Sequence, residues 1–139
     1  MTHTPIAELA AHVGAEVVVA GWVTGVRSSG KIAFLQLRDG SGFVQGVVVR
    51  SEVAAEVFDR AKGLTQESSV VVTGLVRADE RAPSGVELGL THVELVAPGN
   101  DYPITPKEHG VDFLFEHRHL YLRHRGPWAV MRVRDLVER

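Results

Sequence analysis

Hydrophobic positions along the first hundred residues switch between two spacings, and the switches mark the elements. Residues 4–14 carry Ile6, Leu9, Ala10 and Val13 on one helical stripe. Thr4 is placed to cap this helix, Pro5 suits its first turn and Gly14 its stop. From Glu16 to Arg27 the chain is rich in valine, with Trp22, and reads as a strand. Ser28-Ser29-Gly30 is a turn. Lys31–Arg38 then alternates, with Ile32, Phe34 and Gln36 on one face and Ala33, Leu35 and Leu37 on the other. Asp39-Gly40-Ser41-Gly42 is a strong turn signal, and Phe43–Arg50 is a third strand. Between Ser51 and Lys62 the spacing becomes helical again: Val53, Val57, Phe58 and Ala61 share a face, Ser51 is placed to cap and Gly63 ends the run. Strands follow over Ser68–Asp79 and Val86–Ala97, separated by the loop Glu80–Gly85.

Three strands, a helix and two further strands is the order of an OB-fold, an all-β, five-stranded Greek-key barrel with its helix between strands 3 and 4. An open meander packed on two helices shares that order. The barrel accounts for residues 1–97. From Pro98 the character changes: two X-Pro bends, Tyr102-Pro103 and Thr105-Pro106, open a linker over 98–126. Gly126-Pro127 then begins a helix over 127–139, with Leu136 and Val137 in a last turn that carries no stop signal. The expectation is a chain that continues into a further domain.

Charge and composition narrow the function classes. The 139 residues carry a net charge of −2, and residues 1–97 hold eleven acidic against eight basic groups. Such a balance argues against broad gripping of duplex backbone but suits a reader of a few unstacked bases. Cysteine is absent, which removes disulfides, thiol nucleophiles and cysteine zinc sites and fits the cytoplasm. No apolar run is long enough to span a bilayer, and the polar start does not read as a secretory signal. Neither a phosphate-binding glycine loop nor a nucleophile elbow occurs, so no catalytic constellation is expected here. His109, His117, His119 and His124 lie within sixteen positions, and the i, i+2 pair His117/His119 raises a metal site; hydrogen-bonded imidazoles in a polar linker are the expectation, with no metal.

An OB barrel binds single strands by stacking bases on exposed aromatics, with cations near the backbone. Phe34, flanked by Arg27 and Lys31, is the candidate stacking residue. Gln45, across the tight turn, carries donor and acceptor for a base edge, and Glu87 in the fifth strand can accept from a base such as guanine. From the residues alone Phe34 fits a core position equally well, and Gln45 and Glu87 fit an ordinary solvated face. Arg38, Arg77 and Arg81 are further basic groups near strand ends, some of which are expected to meet phosphates. Trp22, Phe43 and Phe58 read as core or edge.

Gly21-Trp22, Arg27, Gly30, Phe34, Leu37-Arg38-Asp39-Gly40, Gly42 and Gln45 together form a pattern that resembles the N-terminal anticodon-binding domain of class II aminoacyl-tRNA synthetases of the aspartyl/asparaginyl branch. A second block, Tyr102-Pro103-Ile104-Thr105-Pro106-Lys107-Glu108-His109-Gly110 and then Glu116-His117-Arg118-His119-Leu120-Tyr121-Leu122-Arg123, resembles the linker of the asparaginyl enzymes. The resemblance covers essentially the whole chain. It implies that Phe34 stacks on the central anticodon base, a uridine in this branch, that Gln45 reads its edge, that Arg27 lies beside the anticodon loop and that Glu87 helps recognise the first anticodon base. It further implies tRNA as partner, a parent that is a homodimer joining asparagine to its tRNA with ATP and Mg²⁺, and a catalytic domain beyond Arg139. The fragment itself would then need no cofactor and catalyse nothing. A non-discriminating aspartyl enzyme and a stand-alone single-strand-binding protein are the alternatives.

Overall fold

The computed structural model describes residues 2–139, which form two compact units that divide after Asn100. In the first, five strands close into a barrel: β1 (Glu16–Ser29), β2 (Ile32–Arg38), β3 (Phe43–Val49), β4 (Ser69–Ala78) and β5 (Val86–Ala97). The strand order is β1-β2-β3-β5-β4, closed by β4 on β1. All pairings are antiparallel except β3 with β5. That parallel contact is possible because α1 (Ala55–Lys62) carries the chain away from β3 before β4 begins. This is the OB topology expected from the element order.

Strand alternation builds the core. Ala33, Leu35 and Leu37 of β2 and Val44 and Val48 of β3 are buried, and meet Val17, Val19, Val23, Val70, Val72, Val76, Leu88, Leu90 and Val93. Each valine or leucine withdrawn from water contributes about 1.5–3 kcal/mol, so the inward set holds the barrel closed. Helix α1 adds Phe58 and Ala61, with Val57 packed against the same cluster, as the helical spacing predicts, while Val53 packs there from the turn before the helix. It begins at Ala55 rather than Ser51: residue 54 is the N-cap, without a side-chain cap bond, because residues 50–53 are spent turning out of β3.

The opening helix differs from its expectation. It is a 3₁₀ helix, Ile6–His12, and its three-residue repeat aligns Ile6 with Leu9, both buried. Ala10 and Val13, which an α-helical stripe would bury, are exposed. Thr4 does not cap it; the Thr4 N–H donates to the Val18 carbonyl. The cap comes from the β2–β3 turn instead: Asp39 Oδ2 accepts from Ile6 N–H at 2.8 Å and Ser41 Oγ from Ala7 N–H at 3.0 Å. Gly14, at φ +86°, releases the chain into β1.

One irregularity in β1 positions the site. Val23 pairs with Leu37 but Gly25 pairs with Gln36, leaving Thr24 as an extra residue, a β-bulge. Val17, Val19 and Val23 point inward by odd-number parity; beyond the bulge Val26 packs on the core and Arg27 is exposed.

The second unit contains α2 (Val111–Glu116), a short 3₁₀ turn (Tyr121–Arg123) and α3 (Arg125–Glu138). His117 and His119 lie at the end of α2 and in the following turn, not on a strand. His109 stacks on Phe113 with ring centroids 4.4 Å apart, Phe113 packs on His117 at 4.5 Å, and His124 meets His109 edge-on at 5.9 Å. The His117 Nδ1–H donates to the Phe113 carbonyl at 2.9 Å, and His109 Nε2 accepts from the Thr105 N–H at 3.1 Å. These imidazoles gather around a phenyl ring; among the described residues no three His, Asp or Glu side chains come together as metal ligands. Trp128, Val130, Met131, Val133, Leu136 and Val137 of α3 are exposed. Among the described residues no helix is long and apolar enough to cross a membrane.

Candidate nucleic-acid interface

The outward face of β1, β2, β3 and β5 presents the candidate residues in two neighbouring rows. In one row Arg27 pairs with Phe34, Phe34 with Val47 and Val47 with Gly89. In the next, Gly25 pairs with Gln36, Gln36 with Gln45, Gln45 with Glu87 and Glu87 with Arg77. The parity that buries Ala33, Leu35 and Leu37 turns Phe34 and Gln36 outward, so Phe34 is half-buried on the barrel's exterior and is not a core residue.

The rows have the makings of a base-binding surface. The Arg27 guanidinium lies 5.5 Å from the Phe34 ring centroid, placing a cation beside the stacking face. Gln45 is the diagonal neighbour of Phe34, about 7–8 Å away along such a sheet and within reach of the edge of a base stacked on the ring. Gln45 Oε1 accepts a hydrogen bond from Gln36 Nε2 at 2.9 Å. Opposite Gln36, Gly25 has nothing within 4 Å of where a Cβ would stand, leaving open floor beside Phe34. The Arg77 guanidinium covers Gly89, reaching within 2.7 Å of that glycine's missing Cβ.

The structure therefore brings together Arg27, Phe34, Gln45 and Glu87. Lys31 stands apart, exposed in the two-residue turn that joins β1 to β2, three residues and about 10 Å along the strand from Phe34. Two further residues belong to the rows: Gln36, legible as an outward residue but without a reason to single it out, and Arg77, whose place over β5 depends on the β4–β5 register. Arg38 is withdrawn from the phosphate candidates. Its guanidinium forms a bidentate ion pair with Glu67 at 2.8 and 2.9 Å, the side chains 13% and 4% exposed, and lies 5.7 Å from the Trp22 ring. Trp22 is 37% exposed and Phe43 half-buried, both on the outer surface in the row beyond Gln36; Phe58 alone of the three is core.

Asp39 underlies this surface at the β2–β3 turn. Burial pushes its carboxyl up, but hydrogen bonds from Ile6 N–H, the Ser41 hydroxyl, Ser41 N–H and Gly42 N–H outweigh that and hold it below the ordinary value of 3.8. The turn that sets the β2–β3 register, and with it the Gln36–Gln45 pairing, is thereby fixed by one carboxylate.

Comparison with known proteins agrees with the barrel topology. The asparagine–tRNA ligase of Deinococcus deserti is 55% identical over 135 residues, covering 96% of this chain and 30% of that protein. The asparaginyl-tRNA synthetase of Pyrococcus horikoshii, solved with asparaginyl-adenylate, superposes with a TM-score of 0.87 at 37% identity, over 97% of this chain and 32% of that one. An OBody bound to hen egg-white lysozyme, 26% identical, matches 71% of this chain and 96% of its own with a TM-score of 0.63. The chain thus spans about a third of the length of the synthetases it resembles. The tRNA anticodon family model, an OB-fold nucleic acid binding domain, matches residues 17–97, from the start of β1 to the end of β5. The chain belongs to that family.

Proposed function

We propose that this chain is the anticodon-reading region of an asparaginyl-tRNA synthetase, with residues 1–97 as the reading barrel, 98–126 as the linker and 127–139 as the opening helix of the catalytic domain. The observation that carries the reading is the outward placement of Phe34 between Arg27 and the Gln36–Gln45 pair on a strand whose alternate residues are buried. A half-buried aromatic beside a cation and a paired amide suits one stacked, edge-read base. On this reading Phe34 stacks on the central uridine, Gln45 reads its edge, Arg27 lies beside the loop backbone, Glu87 accepts from the first base and Lys31 meets phosphate from the hairpin tip.

The parent enzyme would act in the cytoplasm as a homodimer, attaching asparagine to tRNA with ATP and Mg²⁺. We place neither group on this chain, whose sequence carries no phosphate-binding glycine loop. On this reading both belong to the catalytic domain, which with the second protomer would also cover the apolar residues exposed on α3.

The test compares anticodon stem-loops for asparagine and aspartate tRNAs, which differ at the third anticodon base, at one fixed salt concentration. Tighter binding of the asparagine stem-loop is expected. Equal binding of both would favour a non-discriminating aspartyl enzyme, and equal binding of unrelated single strands would favour a general single-strand binder.

A further inference from the structure

We infer that Gln36 is a positioning residue that gives Gln45 its preference between bases; the inference rests on the reading of this face as the anticodon site. A glutamine amide alone is ambidextrous. Its carbonyl and its NH₂ exchange places by rotation about a broad, roughly two-fold terminal torsion, so a lone Gln45 would offer an acceptor to one base and donors to another. Uracil presents a carbonyl at ring position 4 and an N–H at position 3, whereas cytosine presents an amino group and a lone pair there. Discrimination between them therefore requires that the amide be held in one orientation.

The structure holds it. Gln36 and Gln45 face each other across β2 and β3, and Gln36 Nε2 donates to Gln45 Oε1 at 2.9 Å. With its oxygen turned toward β2, Gln45 has its two N–H donors for the ligand and for the β5 side, where its register partner is Glu87. A concerted flip of both amides would keep the mutual hydrogen bond but exchange N–H donors for an acceptor on the side of the acidic register partner Glu87. The Gln36 strand position is itself fixed, since its neighbours Leu35 and Leu37 are buried in the core. Gly25 opposite leaves the ligand side of the pair uncovered. The pair thus presents an N–H donor beside Phe34; met by ring position 4 of a stacked base, it matches the uracil carbonyl and opposes the cytosine amino group.

The test measures the ratio of affinities of the full chain for anticodon stem-loops carrying U or C at the central position, in wild type, Gln36→Leu and Gln36→Glu. Wild type is expected to prefer U. Gln36→Leu frees the Gln45 amide, and the U-over-C ratio should fall about five- to tenfold, the equivalent of one hydrogen bond. Gln36→Glu accepts from Gln45 Nε2 and turns the carbonyl outward, so the preference should invert toward C even though the added negative charge weakens binding of both. A Gln45→Leu background should abolish these changes in ratio, which places the effect in Gln45 and not in direct contact by residue 36. An unchanged ratio in both Gln36 variants, with Phe34→Ala still weakening binding, overturns the positioning role while leaving the anticodon reading intact. Wild-type binding that does not depend on Phe34 overturns both.

Discussion

Replacing Phe34 by alanine is the most direct perturbation of the surface. The side chain sits on the outward face of β2, half-buried between the Arg27 guanidinium at 5.5 Å and its register partner Val47. The inward residues on either side, Ala33 and Leu35, are fully buried and keep the strand in place without it. Loss of the ring should therefore cost the fold about 1 kcal/mol or less, against about 2–5 kcal/mol for Leu35→Ala, which would open a cavity in the core. The ligand loses more. A base stacked on an aromatic is worth about 1–3 kcal/mol, a weakening of roughly five- to 150-fold in Kd at 25 °C. Filter binding of the cognate stem-loop at fixed salt reads the affinity, and a thermal melt of the same preparation reads the fold. Phe34→Leu separates stacking from simple apolar contact, since it retains much of the hydrophobic area but has no π-face; its affinity should fall close to that of the alanine variant. Wild-type affinity in Phe34→Ala, or in Phe34→Leu, refutes stacking at this position.

Three further outcomes are expected. Arg27→Ala should weaken stem-loop binding and lower the slope of log K against log salt by about 0.7, the contribution of one phosphate contact to single-strand binding; an unchanged slope in a salt titration would remove Arg27 from the backbone contacts. Arg38→Ala takes from the buried Glu67 carboxylate a bidentate guanidinium partner, and urea unfolding should show a loss of about 3–5 kcal/mol; a loss below 1 kcal/mol would mean that the pair is solvated. Asp39→Ala removes the carboxylate that caps the opening 3₁₀ helix, and should cost about 1 kcal/mol at neutral pH. Because the folded pKa of Asp39 lies below the ordinary 3.8, its contribution is fully present above that value and is lost as pH falls through the folded one. The stability gap between wild type and variant should accordingly close only in strongly acidic solution, and a gap independent of pH in unfolding curves would contradict the role of the ionised carboxylate.

Much of the barrel is visible in the chain itself. Alternation in β2 divides Phe34 and Gln36 from Ala33, Leu35 and Leu37, and the structure preserves that division. Local signals also place the helix between β3 and β4. What local signals miss is set by distant partners. Thr4 looks like a cap, but the acceptor that serves the first helix is Asp39, thirty-three residues from Ile6. Arg38 looks like a surface cation until the turn before β4 delivers Glu67 to it. At the candidate site, Arg27, Phe34, Gln45 and Glu87 are picked out by strand position and family pattern, whereas the places of Gln36 and Arg77 beside them follow only from cross-strand register. The histidines of the linker suggest metal by composition because nothing in their spacing reveals that Phe113 stands among them.

The bulge at Thr24 has a consequence for how relatives of this barrel are compared. Simple odd–even counting from Val17 onward would send Arg27 into the interior and Val26 to solvent, the reverse of their places. An alignment that opens a one-residue gap anywhere between Val23 and Gly25 therefore silently exchanges the two faces of the remaining strand, matching an outward-facing position in one protein with a core position in another. Such an error would make a basic residue at position 27 look variable when the physical position is constant. Anchoring the alignment on the inward-facing pair Val23 and Val26, with the extra residue held between them, keeps the interior and the exterior of β1 in correspondence.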